Sequence, residues 1–152
     1  MRVVSYLLAS LVLASFLVSA AEAPESYTIV HQNEDVTIGV DKSYLVFHKD
    51  RQQANGLPAL ELKVELTYAK ERNINGAVVR RFRNTIVADC AGDRLAVIAS
   101  KAFNAKGKEV VIEGAGPVLM ENPNDANSIV TVMLDGVICP AYATALKSYK
   151  GK

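Results

Sequence analysis

An alternating run of nine residues constrains the fold of this chain more than any other feature. From Leu60 to Tyr68 the even positions are apolar and the odd positions are polar. Such alternation predicts a β-strand with one buried side and one solvent-facing side. The stretch from Val78 to Cys90 alternates in the same way, and Asn75-Gly76 between the two stretches is a strong hairpin signal. The sequence therefore predicts an antiparallel hairpin with two distinct faces.

The register of this hairpin depends on the length of its loop. A two-residue turn at Asn75-Gly76 would set Tyr68 opposite Arg83 and mix the two faces. A three-residue loop over residues 74–76 sets Tyr68 opposite Phe82, so that apolar side chains meet apolar ones. Because a slip of one residue moves every side chain to the other face, we predict the three-residue loop, with Gly76 in the left-handed region.

Shorter runs rich in β-branched and aromatic residues extend the hairpin into a sheet. They cover residues 27–31, 36–40, 44–48, 95–103 and 109–112. Turn signals separate most of these runs, and the glycine-rich residues 114–117 begin a connection. The pattern is typical of an antiparallel meander of about five to six strands.

The last segment is ambiguous between a helix and a strand. After Pro123, apolar residues recur at helical spacing as far as Val137, with Asn122 as a candidate N-cap. The β-branched run from Ile129 to Val132 is also compatible with a strand. We predict a helix, which makes the domain α+β, and we predict a flexible basic tail beyond Pro140.

The N-terminus has the pattern of an export signal. Arg2 is followed by an uncharged stretch from Val3 to Val18, and small residues then precede Ala21. We predict a signal peptide over residues 1–20, one domain over 21–140 and the tail over 141–152. An uncleaved anchor is the alternative, but the apolar stretch is short for about 30 Å of hydrocarbon. No cysteine lies near the cut, so lipid attachment is not expected.

The cysteine count and the charge balance narrow the class of protein. Cys90 and Cys139 are the two cysteines, and an even count in an exported chain predicts one intramolecular disulfide. The chain has 17 Lys+Arg against 16 Asp+Glu. A nucleic-acid binder normally has a clear basic excess, so that class is not expected.

No pattern in the sequence is typical of catalysis or of a cofactor. His31 and His48 lack the spacing of a metal site, and both cysteines are expected to be bonded and inert. We predict no enzyme activity, no metal and no cofactor. Charged residues of alternating sign are expected on the exposed face of the hairpin and form our candidate binding surface. They are Glu61, Lys63, Glu65, Arg81 and Arg83.

Four short motifs resemble the bacterial surface-adhesin protein E-like family. They are Asp41-Lys42-Ser43, Asp89-Cys90, the turn from Phe103 to Lys108, and a helix-like stretch that closes on Cys139. The resemblance covers residues 26–140. It implies an antiparallel sheet whose C-terminal helix is pinned by a Cys90–Cys139 disulfide. It also implies a binding module, since named members of the family engage host matrix proteins such as vitronectin and laminin.

Together these features predict a periplasmic or secreted binding module that is not an enzyme. Its expected partner is an extracellular-matrix or envelope protein, with no nucleic acid and no stable membrane anchor. The alternative is a soluble accessory subunit of an envelope assembly, which is suggested by export without an anchor.

Overall fold

A computed structural model describes residues 26–149 of the chain. Within that range seven strands form one antiparallel sheet. They are β1 (Tyr27–Gln32), β2 (Val36–Gln52), β3 (Pro58–Ile74), β4 (Ala77–Asp89), β5 (Arg94–Phe103), β6 (Glu109–Val110) and β7 (Val118–Glu121). The first five strands lie side by side in chain order, and β6 and β7 share the outer edge of β5. The predicted signal peptide, residues 1–20, lies outside the described residues.

Two of the predicted strand boundaries differ from the structure. The runs 36–40 and 44–48 belong to one strand, β2, because residues 41–44 bulge opposite Lys63 and pairing then resumes. The Asp41 carboxylate accepts hydrogen bonds from the backbone and hydroxyl of Ser43, at 2.9 and 2.6 Å, and so holds this bulge. β7 was not predicted, since it follows directly on the glycine-rich connection.

The β3–β4 hairpin has a different register from the predicted one. Asn75 and Gly76 form a two-residue turn with φ of 48° and 82°. Gly76 is left-handed as expected, but the three-residue loop is wrong. The change of register occurs inside β3, where residues 68–71 form a bulge without partners in β4. Beyond this bulge Phe82 pairs with Leu66 instead of Tyr68, so apolar side chains still meet apolar ones.

The core lies between one face of the sheet and the C-terminal helix. In the first half of β3 the even-numbered side chains Leu60, Leu62 and Val64 are almost fully buried. They pack against Leu134 and Ile138 of the helix, which are also fully buried. Because side chains alternate along a strand, the odd-numbered residues of β3 lie on the opposite, helix-free face.

The helix begins later and ends later than predicted. It consists of α1 (Ile129–Met133), a π-helical turn (Leu134–Ile138) and α2 (Cys139–Ser148). Ser128 caps its start, since the Ser128 hydroxyl accepts the amide of Val130 at 3.2 Å. The predicted cap, Asn122, lies on the preceding segment, where its side chain bonds Thr131.

The predicted tail is also corrected, because residues 141–148 continue the helix past Pro140. Tyr142 is buried, and its hydroxyl donates to the Pro58 carbonyl at 3.1 Å. Proline is tolerated here because it lies in the first turn of α2. Residues 150–152 lie outside the described range.

The disulfide between Cys90 and Cys139 is confirmed. Cys90 directly follows β4 and Cys139 begins α2, so the bond ties the helix to the end of the central hairpin. The helix Ile129–Ser148 is long and apolar enough to span a bilayer, with a mean hydropathy of 1.7. The bond and the buried side chains hold its inner side on the sheet, while only 22% of its apolar stretch is buried.

Candidate functional site

The helix-free face of the sheet, here called the open face, contains most of the predicted binding residues. In the observed register Glu65 pairs with Arg83, which pairs in turn with Lys101 of β5. One pair along, Arg81 stands between Thr67 and Phe103. Residues directly opposite each other project from the same side of a sheet. Three strands therefore bring these side chains together.

Glu65 contacts two of the three arginines of β4. The Nε of Arg83 donates to the Glu65 carboxylate at 2.8 Å, while the Nε of Arg81 lies 3.7 Å from the same carboxylate oxygen. The side chains of Arg81 and Arg83 are 31% and 32% exposed. Partial burial strengthens such pairs relative to fully exposed ones. One carboxylate thus holds two guanidinium groups at the surface.

Aromatic rings underlie these guanidinium groups, a feature that the sequence analysis missed. The Phe103 ring centroid lies 5.0 Å from the Cζ of Arg81 and 5.3 Å from the Cζ of Arg83. The Tyr27 ring lies 5.5 Å from the Cζ of Arg83. These are cation–π distances. We call Tyr27, Glu65, Arg81, Arg83 and Phe103 the arginine–aromatic cluster.

Gly39 explains how Tyr27, on the edge strand β1, reaches a residue of β4. Gly39 lies on β2 and pairs with Glu65 on the open face. A Cβ at Gly39 would lie 3.0 Å from the Cβ of Tyr27 and 3.8 Å from its Cγ. Because glycine has no side chain, the Tyr27 ring can lie across β2 toward Arg83. A larger residue at this position would displace the ring.

Arg81 retains hydrogen-bonding capacity. Its Nε is buried and has no hydrogen-bond partner within residues 26–149. A buried donor without a partner is uncommon in folded proteins. A guanidinium group that stacks by its face can still donate from its edge to a carboxylate. An acidic group brought to the open face would satisfy this arginine.

The positive charges of this part of the open face outnumber the negative ones. Arg81, Arg83 and the exposed Lys101 contribute three positive charges against two negative charges, from Glu65 and from the exposed Glu109 opposite Phe103. The chain as a whole is close to neutral, at +1. The excess is therefore local, and it favours contact with a negatively charged surface.

Glu61 belongs to a separate arrangement, in which Tyr44 and His48 cover it. It is only 8% exposed, so it does not contribute the exposed carboxylate that the sequence predicted. Tyr44 donates to one of its oxygens at 2.6 Å, and His48 Nε2 lies 2.5 Å from the other. Lys63 lies beside this group, with its Nζ 4.8 Å from the Tyr44 ring centroid. Glu61 is thus already engaged within the protein.

These contacts shift the ionisation of both partners. Burial raises the pKa of Glu61, but the hydrogen bonds from Tyr44 and His48 outweigh burial, so the pKa lies below its ordinary value. The hydrogen bond to Glu61, together with burial, raises the pKa of Tyr44. Tyr44 therefore remains a donor and Glu61 remains an acceptor at neutral pH.

The structure shows no metal-binding arrangement in the range that it describes. Within residues 26–149, no group of three or more His, Cys, Asp or Glu side chains could hold a metal ion. Of the two histidines, His48 contacts Glu61, and His31 lies on β1 away from the arginine–aromatic cluster.

Comparisons with known proteins add little to this description. No protein-family model matches the sequence, and no curated protein matches it. The fold is similar to the crystal structure of protein E from non-typeable Haemophilus influenzae, at 11% identity and a TM-score of 0.47. The match covers 85% of this chain and 92% of that chain.

Proposed function

We propose that this chain is an exported, non-enzymatic binding module that holds an acidic segment of a protein partner on its open face. The observation that carries the proposal is the arginine–aromatic cluster, where two stacked guanidinium groups share one carboxylate. Aromatic and arginine side chains dominate the energetics of protein interfaces. The partner is expected to be an envelope or extracellular protein.

The rigidity of the site supports this function. Arg81 and Arg83 project from the central strand β4, which is paired on both sides, and the rings beneath them limit their rotamers. Binding therefore requires little ordering of long side chains, which is otherwise a cost of association. The contact is still polar and partly solvated, so its affinity should fall as salt is added.

Export is supported by the disulfide, since such bonds persist in oxidising compartments. The signal peptide proposed over residues 1–20 accounts for delivery to such a compartment. An acidic partner in the periplasm or outside the cell would meet the open face directly.

The experiment measures binding of a fluorescent oligoglutamate peptide to the mature protein and to two variants. Arg81→Gln removes the arginine whose Nε lacks a partner and should weaken binding by about 0.5–1 kcal/mol, or about two- to fivefold. Lys147→Gln makes the same charge change on the C-terminal helix, on the other side of the sheet. It is the matched control and should leave affinity unchanged.

Two outcomes would contradict the proposal. One is binding that is equally strong in low and high salt, because a charge-dominated contact is screened. The other is an equal loss of affinity in Arg81→Gln and Lys147→Gln, which would show a dependence on net charge without a defined site. The melting temperature of Lys147→Gln should stay close to that of the parent, because Lys147 is exposed. That of Arg81→Gln should fall slightly, because the partly buried contacts of Arg81 with Glu65 and Phe103 are lost.

A further inference from the structure

A cleft of about 410 Å³ lies on the helix-covered side of the sheet, away from the open face. It is formed where the β1–β2 turn and the bulge of β3 meet the start of the C-terminal helix. Tyr68 and Arg72 come from β3, and Ile129 and Val132 come from the helix. The volume falls within the range of small-molecule sites.

The bulge in β3 positions the polar wall of this cleft. The β3–β4 register shifts between Thr67 and Arg72, and the amide of Ala69 within the bulge donates to the Asp35 carbonyl at 2.8 Å. Bulges re-aim side chains and are common beside functional sites. Here the bulge stacks the Arg72 guanidinium on Tyr68, with the Cζ 4.5 Å from the ring centroid.

Two charged side chains line the cleft without pairing. Among residues 26–149, neither the Arg72 guanidinium nor the Asp35 carboxylate forms an ion pair, although both groups line the same cleft. Separated opposite charges in one cleft match a ligand that carries both charges. The face of the Arg72 guanidinium is stacked, and its edge remains able to donate to a carboxylate.

His31 adds an unsatisfied nitrogen to the same wall. Its Nε2 is buried and has no hydrogen-bond partner within the described part of the chain. Such a group is unfavourable unless a ligand or a water molecule supplies the missing partner. Ile129 and Val132 of the helix give the opposite wall an apolar character, and Val36 lies beside Tyr68 on the sheet wall.

We propose that this cleft binds an apolar α-amino acid. The ligand carboxylate contacts Arg72 and His31, the ammonium group contacts Asp35, and the side chain lies against Ile129 and Val132. Arg72, His31 and Asp35 then each have a partner of opposite or complementary character. The site is independent of the open face and of the function proposed for that face.

Calorimetric titration of the mature protein with three probes of equal apolar size tests this assignment. The probes are leucine, 4-methylpentanoate, which lacks the ammonium group, and isopentylamine, which lacks the carboxylate. Leucine should bind more tightly than either of the others. Arg72→Gln should lower the affinity for leucine by about tenfold, as expected for loss of a charge-assisted contact. Lys70→Gln, an exposed cation outside the cleft, should have no effect.

Asp35→Asn separates the role of the ammonium group. It should remove the advantage of leucine over 4-methylpentanoate and leave the affinity for 4-methylpentanoate unreduced. The imidazole ¹⁵N signals of His31 should shift as leucine is added. Absence of leucine binding at millimolar concentration would overturn the proposal, and so would equal affinities for leucine and 4-methylpentanoate. Leucine binding that is unchanged in Arg72→Gln would also overturn it.

Discussion

Replacing both cysteines by serine should lower the free energy of unfolding by about 4 kcal/mol. Cys90 and Cys139 are 49 residues apart. In the chain-entropy description, closing a loop of that length removes about 14 cal/mol/K from the unfolded chain, which is about 4 kcal/mol at room temperature. A small domain has a total stability of about 5–15 kcal/mol. The loss is therefore a large part of the total.

The assay is urea unfolding of the parent, of Cys90→Ser, of Cys139→Ser and of the double variant. All three variants should unfold at the same urea concentration, because each removes the same bond. The reduced parent should match them. A loss below about 1 kcal/mol would refute the loop-closure reasoning. A difference between the two single variants would show that one cysteine contributes by its packing and not only by the bond.

Further predictions concern the turns, the acid response and processing. Gly76→Val should destabilise by about 1–2 kcal/mol, since φ is 82° there, and Asn75→Ala should cost less; equal, negligible changes in urea midpoint would contradict this. Gly92→Ala should lower the melting temperature, because a Cβ there would collide with the Asp89 carboxylate, which hydrogen bonds from the Gly92 amide and Arg94 hold in place; an unchanged melting temperature would contradict this. Burial raises the pKa of Asp89, but hydrogen bonds from the Gly92 and Ala54 amides and from Arg94 lower it overall. The Asp89 contribution is therefore present above the ordinary value of 3.8 and lost as pH falls through the lower folded value; Asp89→Asn should flatten that acid loss in melting curves. Intact mass should correspond to residues 21–152 less two hydrogens, and a free thiol would contradict it.

The hairpin shows what local pattern can and cannot predict. Alternation fixed which side chains of β3 and β4 share a face, because burial of one face is a strong constraint. Alternation did not predict that β3 contains a bulge. Asn75-Gly76 adopts a two-residue turn in which both residues have positive φ, a geometry that matches strand twist. The bulge at residues 68–71 shifts the register, so that beyond it apolar residues of β3 pair with apolar residues of β4.

The candidate site was predicted only in part for a related reason. Alternation placed Glu65 and Arg83 on one face, but the predicted register set Arg83 opposite Thr67, whereas the structure sets it opposite Glu65. Phe103 enters the site through β5, whose register shifts between Thr85 and Ile86. Tyr27 reaches the cluster only because Gly39 leaves space on β2. Both contacts depend on strands distant in sequence, so single-segment periodicity could not reveal them.

The predicted tail beyond Pro140 is wrong, because the small and polar residues there continue the helix as far as Ser148. Proline lacks an amide donor, so in the interior of a helix it usually kinks or breaks the helix. In the structure Pro140 falls in the turn that follows a π-helical stretch, where α2 begins, and the helix continues to bury Tyr142. Packing on the sheet, reinforced by the disulfide at Cys139, therefore overrides the local signal.

An NMR titration of the mature protein with an oligoglutamate peptide tests the assignment of the open face most directly. The side-chain Nε–H signals of Arg81 and Arg83 should shift progressively and in parallel, and the shifts should diminish as salt is added. The signal of Arg72, on the other side of the sheet, should stay in place. Shifts at Arg72 with unmoved Arg81 and Arg83 signals would contradict binding at the arginine–aromatic cluster.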